Sequence, residues 1–220
     1  MKNNPEFIDL SWDIVEGMPI YPNDPVLKVE GGRKTNEDGF SLKRLTTAMH
    51  VGTHLDAPSH YLGNGDHVES IGLDKTIGFA TKLKVEIIDN VIKTDDLDMC
   101  YHNAYRKHSK IVIDTGYSNK RNSPDYFESF PAFEASLTDF LVENGIELIG
   151  LDMPSIRFEK TGAAEAHKAL LSQRIVIVEN LMNLDLLDEE FFLLCQPLKL
   201  IGFDGSMIRA VGINRWKTFY

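Results

Sequence analysis

Residues 50–60, HVGTHLDAPSH, hold three of the chain's seven histidines and one aspartate within eleven positions. Imidazole nitrogens and carboxylate oxygens bind Zn²⁺ or Mn²⁺ in proteins, and the segment contains no thiolate. Histidine pairs four residues apart are common on solvated surfaces, but here the pair is followed by Asp, then Pro, then another His. The segment therefore predicts a divalent metal site that includes His50, His54 and Asp56.

The spacing of the first two histidines restricts the backbone of this segment. In an extended strand, His50 and His54 would lie ~13 Å apart, too far for one ion. On one helical turn their Cβ atoms would be about 5–6 Å apart, and Gly52 permits a tight, irregular turn with the same convergence. Pro58 keeps Ala57 out of the helical region. The sequence thus predicts a shaped loop here rather than a regular element.

Candidates for further ligands lie in the second half of the chain. His167 falls in the apolar helical stretch GAAEAHKALL, and Glu179 follows the hydrophobic run RIVIV. An acidic residue at the end of a strand projects toward a crevice. Taken singly, His167 also fits a surface position, and Glu179 also fits a solvated strand end. For each residue, a ligand role and this structural role both stay open at this point.

Composition and charge restrict the class of protein. The chain has 220 residues, 43% of them hydrophobic, and 23 basic against 33 acidic residues give a net charge of −10. An acidic surface without a basic run disfavours nucleic acid and anionic lipid as partners. No leader-like or membrane-length apolar run is present, so we expect a cytoplasmic protein. Cys100 and Cys195 lack metal-site spacing and are expected to be reduced and buried.

The elements predicted from residue patterns are mostly strands. Runs rich in branched or aromatic residues are found at 7–10, 26–30, 41–49, 82–89, 110–114, 146–151, 174–178 and 198–203. Helices are predicted from Thr94 toward Lys107, from Ser136 to a closing Gly145, and over residues 163–172. We expect a strand-rich single domain over residues 1–220, of the α/β or α+β class.

The histidine-rich segment resembles the hallmark of the putative cyclase family, which includes bacterial kynurenine formamidase and isatin hydrolase. Residues 50–60 match every fixed position of HxGTHxDxPxH. The segments 9–25, 111–118, 146–156 and 197–210, and the pair His167 and Glu179, also follow in the family's order. The resemblance covers about residues 7–212 and implies a swivelling β/β/α fold within the α/β class.

The resemblance implies a binuclear metal centre, with Zn or Mn as the expected ions. His50, His54 and Asp56 match ligands of the first metal, and Asp56 bridges to the second. His167 matches a ligand of the second metal, and Glu179 matches one that contacts both.

Three further expectations come from the same resemblance. His60 matches the residue with the general acid/base role. Members are usually dimers or tetramers, so we expect a homodimer or homotetramer. The aromatic residue before Pro that lines the family's substrate pocket is Tyr21 here, in IYPNDP, where formamidases carry Trp. A smaller ring with a hydroxyl changes the stacking surface.

The expected ligands indicate a metal-dependent hydrolase that opens a small amide, formamide or lactam. Divalent ions make hydroxide available near neutral pH, and His60 is free to carry the proton to the leaving nitrogen. No G-x-S-x-G elbow suggests a serine mechanism. Two alternatives remain open: a ring-forming cyclase or dehydratase that uses the same metals, and a protein that binds metal or a small ligand without turnover.

Overall fold

The computed structural model describes residues 5–104 and 107–215. Both ends of the predicted domain, and residues 105–106 within the predicted helix toward Lys107, lie outside this range. The strands described are β1 Glu6–Asp9, β2 Lys28–Arg33, β3 Leu42–Thr46, β4 His54–Asp56, β5 Ile77–Lys84, β6 Val91–Ile92, β7 Lys110–Asp114, β8 Ala132–Phe133, β9 Leu148–Leu151, β10 Val176–Glu179, β11 Glu190–Leu194, β12 Gly205–Met207 and β13 Val211–Asn214. The helices described are α1 Thr35–Asp38, α2 Leu73–Thr76, α3 Thr94–Asn103, α4 Leu137–Glu143 and α5 Ala163–Ser172.

A curled, mixed sheet organises the fold, which confirms the α/β prediction. Within the described ranges it has nine strands, in the order β1-β13-β11-β5-β7-β9-β10-β4-β12. The central strands β5, β7, β9 and β10 run parallel, and the strands toward both edges are antiparallel. Parallel strands need covered faces, and α3, α4 and α5 supply buried side chains to one of these faces.

Burial on both faces explains the continuous apolar sequences of the central strands. In β7, Ile111 and Ile113 enter the core cluster on the helix side of the sheet. Val112, between them, enters a second cluster on the other side. Side chains alternate across a strand, so such a strand needs an apolar residue at every position. The centre of the sheet is therefore covered by apolar side chains on both faces.

The strand β4 corrects part of the prediction for residues 50–60. His54–Asp56 is not loop but a short, fully buried strand between β10 and β12, antiparallel to both. Its pairing sets His54 opposite Glu179 and Asp56 opposite Gly205. The backbone partners of β4 lie more than a hundred residues away in the sequence, which is why the local pattern did not reveal it.

Several local predictions agree with the structure, one is displaced and one is wrong. The strand predicted at 82–89 is β5, which covers Ile77–Lys84 instead. The strand 110–114 and the helix 163–172 have the predicted bounds, and Gly145 follows α4 with a positive φ of 63°. The predicted strand 198–203 does not form, because Leu200 N bonds to Leu198 O and Gly202 turns the chain at a φ of 79°. In its place the chain makes a turn that leads into β12.

One hairpin stands apart from the main sheet. The hairpin arm, which we define as β2, α1 and β3, forms its own two-stranded sheet with nearly all of its side chains exposed. Cys195 is buried, Cys100 is partly buried, and neither is in a disulfide. None of the helices in residues 5–104 and 107–215 has the length and apolar character needed to cross a bilayer.

Candidate metal centre

The turn before β4 brings His50 and His54 together. Gly52 has a positive φ of 61°, a conformation that glycine adopts at little cost. The two imidazole rings consequently lie 5.1 Å apart between centroids, in an edge-to-face arrangement. The convergence predicted from Gly52 is therefore present.

Asp56 lies at the centre of the cluster. Its Oδ1 is 2.8 Å from His50 Nδ1 and 3.6 Å from His54 Nε2. Its Oδ2 is 3.4 Å from His167 Nε2. The side chain is only 1% exposed, so both oxygens are withdrawn from water and face histidine nitrogens.

Glu179, the last residue of β10, reaches the same point from the neighbouring strand. Its Oε2 is 3.4 Å from His54 Nε2, and its Oε1 is 3.3 Å from His167 Nε2. Ile156 donates its backbone N–H to Oε1 at 3.0 Å, which fixes the carboxylate in the buried site. The side chain is therefore buried and inside the site, not a solvated strand end.

His167 enters from α5 and is also buried, not on the surface. Its Nδ1 bonds to the carbonyl oxygen of Ala163 at 2.8 Å. A carbonyl only accepts, so Nδ1 carries a proton, and Nε2 is the nitrogen that faces Asp56 and Glu179. The ring of Tyr61 stacks on the imidazole at 4.5 Å between centroids. The ring is thus held in place by one hydrogen bond and one stacking contact.

His60 is the last residue of a 3-10 turn, Pro58–His60, and its ring lies against that of His50. Its ring stacks on that of His50 at 3.8 Å between centroids, with an interplanar angle of 23°. It is partly exposed and lines the open cavity described below. A proton-carrying group needs contact with both the site and solvent, and His60 has this placement.

Asp204 is the site residue that the sequence did not reveal. It lies between the turn at Gly202 and β12, and its Oδ2 is 3.0 Å from His50 Nε2 and 3.4 Å from His60 Nδ1. Its motif, GFDGSMIRA, belongs to the segment 197–210 that carries part of the family resemblance. No spacing rule connects a single Asp to histidines about 150 positions earlier, so only the resemblance pointed to this segment.

The carboxylates hold positive charge on His50 and His167. Burial opposes a charged ring, yet bonds to Asp204 and Asp56 outweigh it and raise the pKa of His50 to about 10. Burial also opposes charge on His167, and the neighbouring Asp56 and Glu179 raise the pKa of His167 to about 10. Burial alone would raise the pKa of Asp56, but His167 and His50 hold it well below its usual range. The site therefore favours bound cations, protons or metal ions alike.

The donor set fits a divalent metal centre. Two groups each bring their ligand atoms within 4.8 Å of one another: His50, Asp56 and His60, and also His54, Asp56 and Glu179. Asp56 belongs to both groups, as expected of a bridging ligand. Its buried Oδ2 has no hydrogen-bond partner among the described residues, and an unsatisfied buried carboxylate oxygen is costly unless a cation occupies its free side.

The grouping differs in one respect from the one that the resemblance implies. His60, expected to be the acid/base residue, falls in the group with His50 and Asp56, whereas His54 falls with Glu179. His167 lies outside both groups, but its Nε2 is within 3.4 Å of Asp56 and Glu179. All six predicted residues thus meet at one place, and their division between two ions stays a prediction.

A cavity of about 600 Å³ opens onto this centre, a volume suited to a small organic molecule. Tyr21 lines it, as predicted, together with Phe127. These two rings meet edge to face, with centroids 5.7 Å apart and an interplanar angle of 78°. The cavity therefore has an aromatic wall beside the candidate metal ligands.

Comparison with known sequences gives one family and several relatives. The profile of the putative cyclase family matches residues 8–157. A kynurenine formamidase of Bacillus mycoides (strain KBAB4) is 28% identical over 207 residues, which cover 94% of this chain and 96% of that protein.

Solved structures show the same architecture. A protein described as a potential metal-dependent hydrolase with cyclase activity superposes with a TM-score of 0.79 at 25% identity, covering 97% of this chain and 100% of that one. Isatin hydrolase A from Labrenzia aggregata, bound to benzyl benzoate, superposes with a TM-score of 0.83 at 19% identity, covering 96% and 94%. At 19% identity the second match supports the fold alone.

Proposed function

The chain belongs to the putative cyclase family, and from this premise we propose that it is a metal-dependent hydrolase of small amides. The C–N bond of an aryl formamide or a lactam is the bond it would break. Kynurenine formamidase, one of its relatives, is named for such a reaction. One observation carries the proposal: the two oxygens of the buried Asp56 face three imidazole nitrogens, and Oδ2 has no hydrogen-bond partner among the described residues.

The five proposed ligands are His50, His54, Asp56, His167 and Glu179, and we propose two ions of Zn²⁺ or Mn²⁺ per chain. The mixture of nitrogen and carboxylate donors without sulfur suits either metal. When bound, such ions acidify water and polarise a substrate carbonyl. The two oxygens of Asp56 point to different histidines, which supports its role as the shared ligand.

His60 is the proposed proton carrier for the leaving nitrogen. Its ring lies at the cavity surface, stacked on His50 and partly exposed. In amide hydrolysis the departing nitrogen must gain a proton, and a positioned imidazole delivers it near neutral pH. The stack with His50 keeps the ring in place for this transfer.

The experiment is a turnover assay on the metal-supplemented protein with aryl formamides, aliphatic formamides, lactams and lactones. We expect hydrolysis that a chelator abolishes and that Asp56→Ala eliminates. Asp66→Ala, which removes a carboxylate paired on the surface with Arg174, is the control and should retain activity. Full metal occupancy without any turnover would contradict the proposal and indicate a metal-binding protein. Ring closure or dehydration without hydrolysis would indicate the cyclase alternative.

We propose further that two or four copies of the chain assemble. The hairpin arm exposes apolar residues, among them Phe40, Leu42 and Leu45, on a sheet that lies outside the main one. Exposed apolar surface of this kind is typical of an interface. Light scattering should give the mass of a dimer or tetramer. The double variant Leu42→Lys/Leu45→Lys should lower this mass toward that of a monomer. Leu73→Lys, an exposed leucine elsewhere, is the control.

A further inference from the structure

The loop before β12 fixes Asp204 against the histidine-rich segment. The backbone carbonyl of Asp204 accepts the N–H of Ala57 at 2.9 Å. Two residues earlier, Gly202 donates its N–H to the carboxylate of Glu69, at 3.2 and 3.1 Å from the two oxygens. Asp204 is thus anchored by its main chain, and its side chain, 48% exposed, is free to serve a purpose other than packing.

One oxygen of this carboxylate faces two imidazole rings. Oδ2 of Asp204 lies 3.0 Å from His50 Nε2 and 3.4 Å from His60 Nδ1, and the two rings stack on each other. A carboxylate only accepts hydrogen bonds, so His50 donates from Nε2 to Asp204 and from Nδ1 to Asp56. A cation bound beside Asp56 would take the place of the proton on His50 Nδ1, while Nε2 stays directed at Asp204. The Nδ1 of His60 faces the same Asp204 oxygen, so its Nε2 remains for proton exchange.

We propose that Asp204 is a positioning residue that fixes the orientation of both His50 and His60. A carboxylate hydrogen-bonded to the far nitrogen of a metal-binding histidine orients the ring and increases its basicity. Here the same oxygen also holds the proton carrier parallel to that ligand. The inference rests on the proposed function, because it assigns His50 to metal binding and His60 to proton transfer.

Gly205, the residue after Asp204, supports this assignment because it leaves room for the His50 ring. A Cβ atom on Gly205 would lie 2.6 Å from His50 Cε1 and 2.8 Å from the carbonyl oxygen of Leu55. The ring therefore packs directly on the backbone that follows Asp204. The pair Asp204 and Gly205 together determines where His50 lies: the first by a hydrogen bond and the second by the absence of a side chain.

The test uses Asp204→Ala and Asp204→Asn, with Asp66→Asn as the control for loss of a nearby exposed carboxylate. Two quantities are measured on the metal-loaded proteins: the rate of metal loss to a chelator, and kcat and KM for an aryl formamide. For Asp204→Ala we expect metal loss about 10–100-fold faster and kcat about 10–100-fold lower, with KM unchanged. Asp204→Asn keeps one acceptor oxygen and should fall between Asp204→Ala and the wild type.

The outcomes separate this inference from the proposed function. If the wild type hydrolyses the formamide and Asp204→Ala matches it in both kcat and metal retention, the positioning role is wrong. If Asp204→Ala purifies without metal under loading conditions, Asp204 is a ligand and the positioning role is again wrong. If the wild type hydrolyses nothing, the proposed function fails, and the rate of metal loss alone decides whether Asp204 orients His50.

Discussion

Nδ1 of His54 donates a hydrogen bond of 2.8 Å to the carbonyl oxygen of Gly52, two residues earlier in the same turn. This bond leaves Nε2 as the free nitrogen, directed at Glu179 Oε2 and Asp56 Oδ1. The side chain of Asn180 donates to the same carbonyl at 3.2 Å and so holds the turn against β10. The ring of His54 is therefore aimed at the metal site by the protein's own hydrogen bonds.

The first prediction concerns metal content. Purified after supplementation with Zn²⁺ or Mn²⁺, the protein should carry one to two ions per chain, and Asp56→Ala should lose most of them, because both groups of ligands share that carboxylate. Elemental analysis measures this directly. His102→Ala changes an exposed histidine of α3 and should bind as much metal as the wild type. Full occupancy in Asp56→Ala would refute the bridging role.

The second prediction separates proton transfer from metal binding at His60. His60→Ala should keep its metal while kcat falls by roughly 10²–10⁴-fold, the usual contribution of a general acid or base. Metal analysis and steady-state kinetics on one preparation decide the matter. A parallel loss of metal and activity would make His60 a ligand instead, as its proximity to His50 and Asp56 also permits.

Local sequence was enough to predict the features that depend on neighbouring residues. Gly52 predicted the turn that brings His50 and His54 together, since a positive φ is a property of one residue. The continuous apolar run of β7 and the helical stretch of α5 are likewise properties of a few neighbouring residues. These elements have the predicted bounds.

What the sequence did not reveal depends on distant partners. β4 is a strand because β10 and β12 supply backbone hydrogen bonds on both of its edges. The run 198–203 is as apolar as many strands, but Gly202 and the start of β12 turn it into a loop. Asp204 matters only because that loop meets His50 in space. Such contacts leave no spacing pattern in one sequence.

The third prediction tests the close approach of Gly205 to the metal site. Gly205→Ala would place a methyl group 2.6 Å from His50 Cε1 and 2.8 Å from a backbone oxygen, so the ring or the strand must shift. Overpacking of this kind costs about 1–3 kcal/mol of unfolding free energy, and metal affinity should also fall. Gly63→Ala, whose new Cβ would meet nothing within 4 Å, is the matched control in denaturation and metal titration.

The fourth prediction is a pH dependence of stability that comes from Asp152. Burial raises the pKa of Asp152 to about 6 from its ordinary 3.8, although Thr115 donates two hydrogen bonds to its Oδ1. Its Oδ2 has no hydrogen-bond partner among the described residues. The folded state therefore holds the proton more tightly, so this stabilising contribution is complete below pH 3.8 and is lost as the pH rises through 6.

Asp152→Asn should consequently be more stable than the wild type at pH 7.5 and similar to it near pH 4. A shift of about two pKa units corresponds to on the order of 2–3 kcal/mol. Urea denaturation of both proteins across this range gives the difference in unfolding free energy, with Asp66→Asn as the surface control. A difference that does not change with pH would show that Asp152 has the same protonation in the folded and unfolded chain.

The last prediction concerns substrate choice and the aromatic wall of the cavity. Tyr21 is 37% exposed, precedes Pro22 with its fixed φ, and meets Phe127 edge to face. A flat ring next to the scissile carbonyl can stack there for ~0.5–1.5 kcal/mol, which corresponds to a preference of up to about ten-fold in kcat/KM over an aliphatic formamide. Tyr21→Ala should erase most of this preference with its metals retained, and Tyr21→Trp should shift it toward larger bicyclic or kynurenine-like substrates. Phe7→Ala removes an exposed ring of β1 outside the cavity and should keep the wild-type ratio. If kcat/KM for matched aromatic and aliphatic formamides has the same ratio in all four proteins, Tyr21 does not contact the substrate.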